Sequence, residues 1–154
     1  MTASVAALHA LEEELAEGPW DQLITVSFGE FMKSRAVERN LSIAISIFFD
    51  GQRIYQVGLP GSSSVNDEWI TRKASTVTLT HHSSLALRRR IESLGIQEEQ
   101  LGFNAGHLAV CGGGFPLYSG GLPVGMAIVS GLAHEDDHEF IVDSLTEFKT
   151  GLKW

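Results

Sequence analysis

The sequence predicts an α+β fold in which helices flank a mainly antiparallel sheet. Two pairs of strand-like runs each enclose a two-residue turn, Asp50-Gly51 in the first pair and Gly120-Gly121 in the second. Segments with helical periodicity precede, separate and follow these hairpins. The chain has 154 residues, the length of one ordinary domain. We therefore expect a single domain over residues 1–154, with a helical extension at residues 1–18.

Two helices are predicted before the first hairpin. In Ala3–Ala16, leucines recur at spacings of three and four among acidic residues, and Gly18-Pro19 ends the pattern. In Trp20–Asn40, apolar residues recur at the same spacing, and Asn40 is a suitable C-terminal cap. The short run Ile24–Val26 would also suit a strand, so that alternative stays open.

The first hairpin is predicted to pair Leu41–Phe49 with Gln52–Leu59. Isoleucines alternate with alanine and serine along its first strand, which places only small side chains on one face. This pattern suits a strand that is covered on both faces, or one whose small face receives a closely packed neighbour.

Two further helices are predicted between the hairpins. The first follows a loop at residues 60–64 and can be capped by Ser64 or Asn66, with acidic residues in its first turn. The second begins at Ser84 and ends at Gly95. Its inward-facing residues are predicted to be Leu87, Ile91 and Leu94. The three arginines at residues 88–90 indicate a solvated face or a contact between subunits.

The second hairpin is predicted to pair Phe115–Ser119 with Val124–Ser130. The glycines at residues 112–114 precede it, and glycine permits positive φ angles and the close approach of neighbouring chains. A C-terminal helix is predicted from about His134. Its apolar stripe, which can pack on the sheet, comprises Ile141, Leu145, Phe148 and Leu152.

Composition and charge exclude several classes of function. The formal net charge is −8, so most of the surface should repel a phosphate backbone, and we expect no nucleic-acid partner. The longest apolar runs are far shorter than the roughly 20 residues that span a bilayer, and no secretory leader is visible. The single cysteine, Cys111, gives no sign of an oxidising compartment. We therefore expect a cytoplasmic protein with no membrane partner.

The run from His134 to His138 formally matches the zinc-protease motif H-E-x-x-H. Two further acids stand between the histidines, the run begins a helix, and no histidine follows to supply a third ligand. We interpret it as an acidic first helical turn and predict no metal site. Ser83 and Ser84 follow His82, yet no nucleophile elbow surrounds them, so helix capping is their predicted role and no catalytic residue is assigned.

Several motifs together resemble the uncharacterised short-protein branch of the haem-degrading domain (GlcG/HbpS-like) family. The resemblance extends from about Trp20 to the end, and rests on Leu59-Pro60-Gly61-Ser62, Asn66-Asp67-x-Trp69-Ile70-x-Arg72-Lys73, His82-Ser83-Ser84, Gly113-Gly114-Phe115-Pro116, Val129-Ser130-Gly131-Leu132 and Asp137-His138. It implies an α/β/α arrangement around an antiparallel sheet of about five strands, similar to PAS and profilin-like folds, and assembly into a symmetric homo-oligomer. Some relatives bind haem or iron, so the resemblance implies haem as a candidate cofactor, although no position matches an established axial ligand.

Residues of these motifs form the predicted site, as a ligand pocket or as a junction between subunits. The candidates are Trp69, Lys73, Ser83, Ser84, Gly113, Gly114, Phe115, Pro116, Ser130, Asp137 and His138. They come from helix starts and strand ends, where backbone donors and loops converge. We expect Lys73, the turn at residues 113–116 and Asp137-His138 to lie close together. In the alternative, Asp137 and His138 only bond the backbone at Ser130-Gly131 and so hold the corner between strand and helix.

The sequence thus predicts an oligomeric, cytoplasmic protein that binds a small ligand, with haem as a candidate. The alternative function is a non-enzymatic scaffold or adaptor that holds protein partners. A pocket lined by Phe115 and Trp69 with convergent polar groups would favour ligand binding. Fully packed junctions would favour the scaffold.

Overall fold

The computed structural model describes residues 3–101 and 105–151. In this part of the chain, one sheet consists of four strands, β1 (Ala44–Phe49), β2 (Gln52–Gly58), β3 (Gly114–Ser119) and β4 (Leu122–Ser130). Their order in the sheet is β2-β1-β4-β3, and every neighbouring pair is antiparallel. The predicted α+β class is confirmed, but the described sheet has four strands and not about five. Between the second hairpin and the helix before it, the described chain forms two short 3-10 helices, Glu98–Leu101 and Ala105–His107, and no further strand.

Each half of the sheet is a hairpin with the predicted turn. β1 (Ala44–Phe49) pairs with β2 (Gln52–Gly58), and β3 (Gly114–Ser119) pairs with β4 (Leu122–Ser130). The turn residues Asp50 and Gly51, and Gly120 and Gly121, all have positive φ angles of 50° to 78°. A tight hairpin turn needs this backbone conformation, which explains the residue types at the two turns.

Five α-helices surround the sheet. Their bounds are α1 Val5–Ala16, α2 Gln22–Glu38, α3 Ser64–Thr80, α4 Ser84–Leu94 and α5 His134–Gly151. The run Ile24–Val26 is helical, which settles the alternative left open by the sequence. No helix in the described ranges is long and apolar enough to cross a bilayer.

The helix ends show which residues act as caps. Arg39 is the C-cap of α2, and the predicted Asn40 follows it as the left-handed residue that ends the helix, with a φ of 56° and with the amide of Leu41 donating to the carbonyl of Ala36. For α3 the predicted caps were wrong, because Ser63 is the N-cap. The Asn66 side chain accepts from the Ser63 amide at 2.9 Å and completes a capping box.

Helices cover both faces of β1, as its two-sided pattern predicted. Ile43, Ile45 and Ile47 belong to the main core, which includes residues of α2 and α5. On the opposite face, Ala44 packs with Ile70 and its neighbours on α3. The small side chains on this face let α3 approach the sheet closely.

Two predictions for α4 were wrong. Leu94, expected to face inward, is 56% exposed, because the last turn of α4 extends beyond the cluster that buries Ile91. The arginine run is not a uniformly solvated face, since Arg89 is buried and pairs with Glu92 and Glu135. In α5, Ile141, Leu145 and Phe148 are buried as predicted, and Leu152 lies outside the described residues.

Candidate functional site

A cleft with a volume of about 290 Å³ lies where β4 ends and α5 begins, opposite the first half of α3. We call it the corner cleft. Four of the predicted site residues line it, namely Trp69, Lys73, Ser130 and Asp137. The remaining lining residues are Val65, Asn66, Cys111, Gly131, Leu132 and His134.

A buried ion pair forms the floor of the corner cleft. Lys73 and Asp137 are each 2% exposed, and Nζ of Lys73 donates to Oδ2 of Asp137 at 3.0 Å and to the carbonyl of Val129 at 2.8 Å. Burial raises the pKa of Asp137, while the charge of Lys73 and the amides of Leu132 and Gly131 act in the opposite direction. The pair therefore joins α3, β4 and α5 at one point.

The glycines before β3 leave the space that this ion pair occupies. Gly113 has a φ of 123°, and a Cβ at this residue would lie 2.5 Å from Nζ of Lys73. A Cβ at Gly112 would lie 2.4 Å from the carbonyl oxygen of His134, and one at Gly114 would lie 2.8 Å from the Val77 side chain. Close approach between β3, α3 and α5 thus explains the three glycines.

His138 lies next to this pair but makes none of its contacts. The side chain is 1% exposed, and neither ring nitrogen has a hydrogen-bond partner among the described residues. Its ring centroid lies 5.9 Å from that of Phe115, and burial lowers the His138 pKa to about 4. Of the two residues in the backbone-holding alternative, only Asp137 bonds the corner, since its Oδ1 accepts from Leu132 at 2.9 Å.

The other predicted residues with side chains lie in four different places. Ser84 is buried beneath the glycine run, where its hydroxyl accepts from the Gly114 amide at 2.9 Å. Ser83 instead caps α4 and donates to Glu12 of α1 at 3.0 Å, away from the cleft. Phe115 is fully buried in the core and does not line the corner cleft with Trp69, contrary to the expectation. Pro116 lines a different cavity.

Among the six lining residues that were not predicted to belong to a site, His134 and Cys111 have chemically reactive side chains. His134 was assigned to an acidic helical turn, yet its Nδ1 accepts from the Gly112 amide at 3.0 Å. The half-buried thiol of Cys111 also borders the cleft, and burial raises its pKa. The formal H-E-x-x-H motif at residues 134–138 therefore coincides in position with one side of the cleft. No group of three side chains that could hold a metal ion occurs in the described ranges.

A second concave region, which we call the apolar groove, lies between the second half of α3 and the turn ends of both hairpins. It consists of two adjoining cavities of about 620 and 200 Å³ that share Phe48, Gly51, Thr78 and Met126. Arg53 borders one end, with its guanidinium carbon 5.0 Å from the centre of the Phe48 ring, and His81 borders the other. The groove and the corner cleft have no lining residue in common.

Comparison with known proteins shows similarity to one protein family and to several solved structures. A family model described as "Haem degrading protein HbpS-like" matches residues 21–146. A UPF0303 protein of Rhizobium rhizogenes is 33% identical over 135 residues, which cover 87% of this chain and 83% of that protein. The Ybr137w protein has a similar crystal structure, with a TM-score of 0.87, 24% identity and coverage of 96% of this chain and 88% of that one. The structure of a PduOC:Heme complex has a TM-score of 0.68 and 20% identity, and the match covers 82% of this chain and 93% of that one.

Proposed function

Because the chain belongs to the HbpS-like family of haem-degrading proteins, we propose that it is a small-ligand-binding protein that takes haem in the apolar groove. The observation that carries this proposal is the groove itself, in which a thioether, an imidazole and a guanidinium border one apolar cavity system. A relative in fold is known as a complex with haem, and this supports haem as the first ligand to test.

The chemistry of the groove suits a flat apolar molecule with acidic substituents. Phe48 and Met126 line both cavities, and the Met126 sulfur and the His81 ring are of the kinds that ligate haem iron. Arg53 can pair with a carboxylate such as a haem propionate. Bound haem would supply a redox-active iron centre, whose properties depend on its protein ligands and on the polarity around it.

The corner cleft does not fit haem. At about 290 Å³ it lies at the lower end of ligand-pocket volumes. Its two iron-ligand candidates are also poorly prepared for that role. The His134 Nδ1 already accepts a hydrogen bond, which leaves the ring proton on Nε2, and the raised pKa of Cys111 favours the thiol over the thiolate. The predicted site residues that line the corner cleft are therefore less suited to binding haem than the residues that line the apolar groove.

Haemin titration tests the proposal. We expect haemin to bind with a shifted Soret absorbance band, because a protein ligand replaces a solvent ligand on the iron. Met126→Leu and His81→Gln remove the two ligand candidates, and Arg53→Gln removes the partner of a propionate. At least one of the first two should change the Soret position, and Arg53→Gln should weaken binding about tenfold.

Matched controls come from exposed residues that do not line the groove. His107→Gln and Arg90→Gln make the same chemical changes at exposed positions that do not line the groove. Both should bind haemin as the unaltered protein does. The proposal would be refuted if the protein did not bind haemin. It would also be refuted if none of the three groove substitutions changed the spectrum or the affinity.

The homo-oligomer and the cytoplasmic location remain proposals. Large exposed apolar side chains, among them Leu23 at 79% and Leu122 at 68%, support association between copies. These same surfaces would serve the alternative role as a scaffold, while the single cysteine supports a reducing compartment. Native mass spectrometry with and without haemin reads subunit number and retained ligand together. A monomer in both samples would contradict the oligomer.

A further inference from the structure

The carboxylate inside the corner cleft is already engaged by the protein. Asp137 accepts from Lys73 through one oxygen and from the Leu132 amide through the other, at 3.0 and 2.9 Å. Glu135, two residues earlier on α5, accepts from Arg89 at 2.7 Å. Asp137, the acidic residue among those that line the cleft, is thus paired with a cation and an amide, although the chain carries a net charge of −8.

Two hydrogen-bond donors in the cleft, by contrast, have no acceptor among the described residues. Because Nδ1 of His134 accepts from Gly112, the neutral ring has its proton on Nε2, and the nearest carboxylate oxygen is 3.9 Å from this nitrogen, too far for a hydrogen bond. The Ser130 hydroxyl accepts from Asn66 at 3.3 Å and donates to no acceptor within the described ranges. The cleft therefore offers at least two free donors.

The backbone adds positive potential at the same place. α3 begins at Ser64 and α5 at His134, and residues from the first turn of each helix line the cleft. The amino ends of helices carry partial positive charge and favour anions. The buried ammonium of Lys73 lies beneath them, with hydrogen bonds to only two described acceptors for its three N–H groups.

Trp69 forms an apolar wall beside these donors. It is 37% exposed, and the guanidinium carbon of Arg72 lies 4.4 Å from its ring centroid. A wall of this kind can pack against the organic part of a small molecule. We propose that the corner cleft is a second binding site, separate from the apolar groove, for a small organic carboxylate whose oxygens accept from His134 and Ser130 and whose apolar part packs on Trp69.

Benzoate and its neutral analogue benzamide test this proposal by nuclear magnetic resonance. Benzoate should shift the Trp69 indole N–H signal, assigned with Trp69→Phe, together with the amide signals of residues 130–134. Benzamide has nearly the same shape without the charge, so it should bind at least about tenfold more weakly. This comparison uses the unaltered protein, so it does not depend on whether a variant folds.

Substitutions locate the contacts. Ser130→Ala and His134→Phe should each weaken benzoate binding about fivefold or more, because each removes one donor. The matched changes Ser93→Ala and His107→Phe, at exposed residues outside the cleft, should leave benzoate affinity unchanged. Equal affinity for benzamide and benzoate, affinity unaffected by both cleft variants, or shifts that map to the groove would each overturn the proposal. The haemin titration tests only the proposal for the apolar groove, so the two proposals can fail independently.

Discussion

At the scale of single residues, the corner between β4 and α5 depends on groups that are fully enclosed. Breaking a buried ion pair by removing one partner typically costs about 3–5 kcal/mol, because the other charge stays buried alone. Lys73 and Asp137 avoid this cost, since each has its partner and further backbone contacts. Gly113 is the residue that makes the arrangement sterically feasible, because any side chain there would meet the ammonium.

His138 predicts how acid should affect stability. Its pKa is about 4 in the folded protein and near 6.5 when unfolded, because burial disfavours the charged ring. Between these values the unfolded chain binds a proton that the folded chain does not. The contribution of the neutral His138 to the free energy of unfolding is therefore fully present above about pH 6.5. It is lost as the pH decreases toward 4, and the total loss is about 3 kcal/mol.

Urea denaturation at pH 7 and at pH 4 measures this effect. The unaltered protein should lose about 3 kcal/mol more over this interval than His138→Leu, which cannot titrate. His107→Leu removes an exposed histidine and should keep the full pH dependence. Equal losses in the unaltered protein and in His138→Leu would show that His138 becomes protonated without cost in the folded state.

At the scale of secondary-structure elements, α1 is attached to the domain by polar contacts as well as by leucines. Glu12 is 1% exposed, and its carboxylate accepts from the amide and the hydroxyl of Ser83, both at 3.0 Å, and lies 3.1 Å from Nδ1 of His82. Lys149 of α5 donates to carbonyls at the end of α1, including that of Glu17 at 2.8 Å. These contacts connect the helical extension to α4 and α5.

Removing the Glu12 carboxylate should loosen this attachment. Glu12→Ala leaves the buried donors of Ser83 without an acceptor, which should cost about 1–3 kcal/mol. Hydrogen exchange of the α1 amides should become faster, because the helix then opens more often than the rest of the domain. Glu13→Ala, at an exposed neighbouring position, is the control. Identical exchange in the two variants would mean that the carboxylate contributes nothing to docking.

At the scale of the whole molecule, one core joins the sheet to the helices on its α2 and α5 side. Phe148 of α5 packs against Trp20, Phe28 and Phe31, with ring centroids 6.2, 5.1 and 5.5 Å away. These contacts connect the last described helix to α2 and to Trp20, which lies two residues before the start of α2. The opposite side is covered mainly by α3, and the turn ends of the hairpins there border the apolar groove.

Truncating Phe148 should therefore destabilise the entire domain. Phe148→Ala removes a buried ring and leaves a cavity, so the free energy of unfolding should fall by about 3–5 kcal/mol in urea. Leu23→Ala, at a side chain that is 79% exposed, should change it by less than about 0.5 kcal/mol. A small effect of Phe148→Ala would place α5 at the periphery of the cooperative unit.

Local patterns were sufficient for the elements of this fold and for part of the candidate site. The turns at Asp50-Gly51 and Gly120-Gly121 were identified because a tight hairpin needs positive φ angles. The Lys73 segment and Asp137 were identified through the family resemblance and not through periodicity. Glu12 was missed, because an acid between leucines on an amphipathic helix normally faces solvent.

The sequence by itself determined the α+β class, the two hairpins, the helix periods and the family. Only the tertiary structure decided that Lys73 and Asp137 form the floor of a polar cleft, that Phe115 faces the core, and that a separate groove lies between α3 and the hairpin turns. The reason is physical: hydrophobic period and turn chemistry act between neighbours along the chain, whereas a cavity and a buried pair arise from residues far apart in sequence. Their positions depend on how closely β3, α3 and α5 pack, which no local pattern specifies.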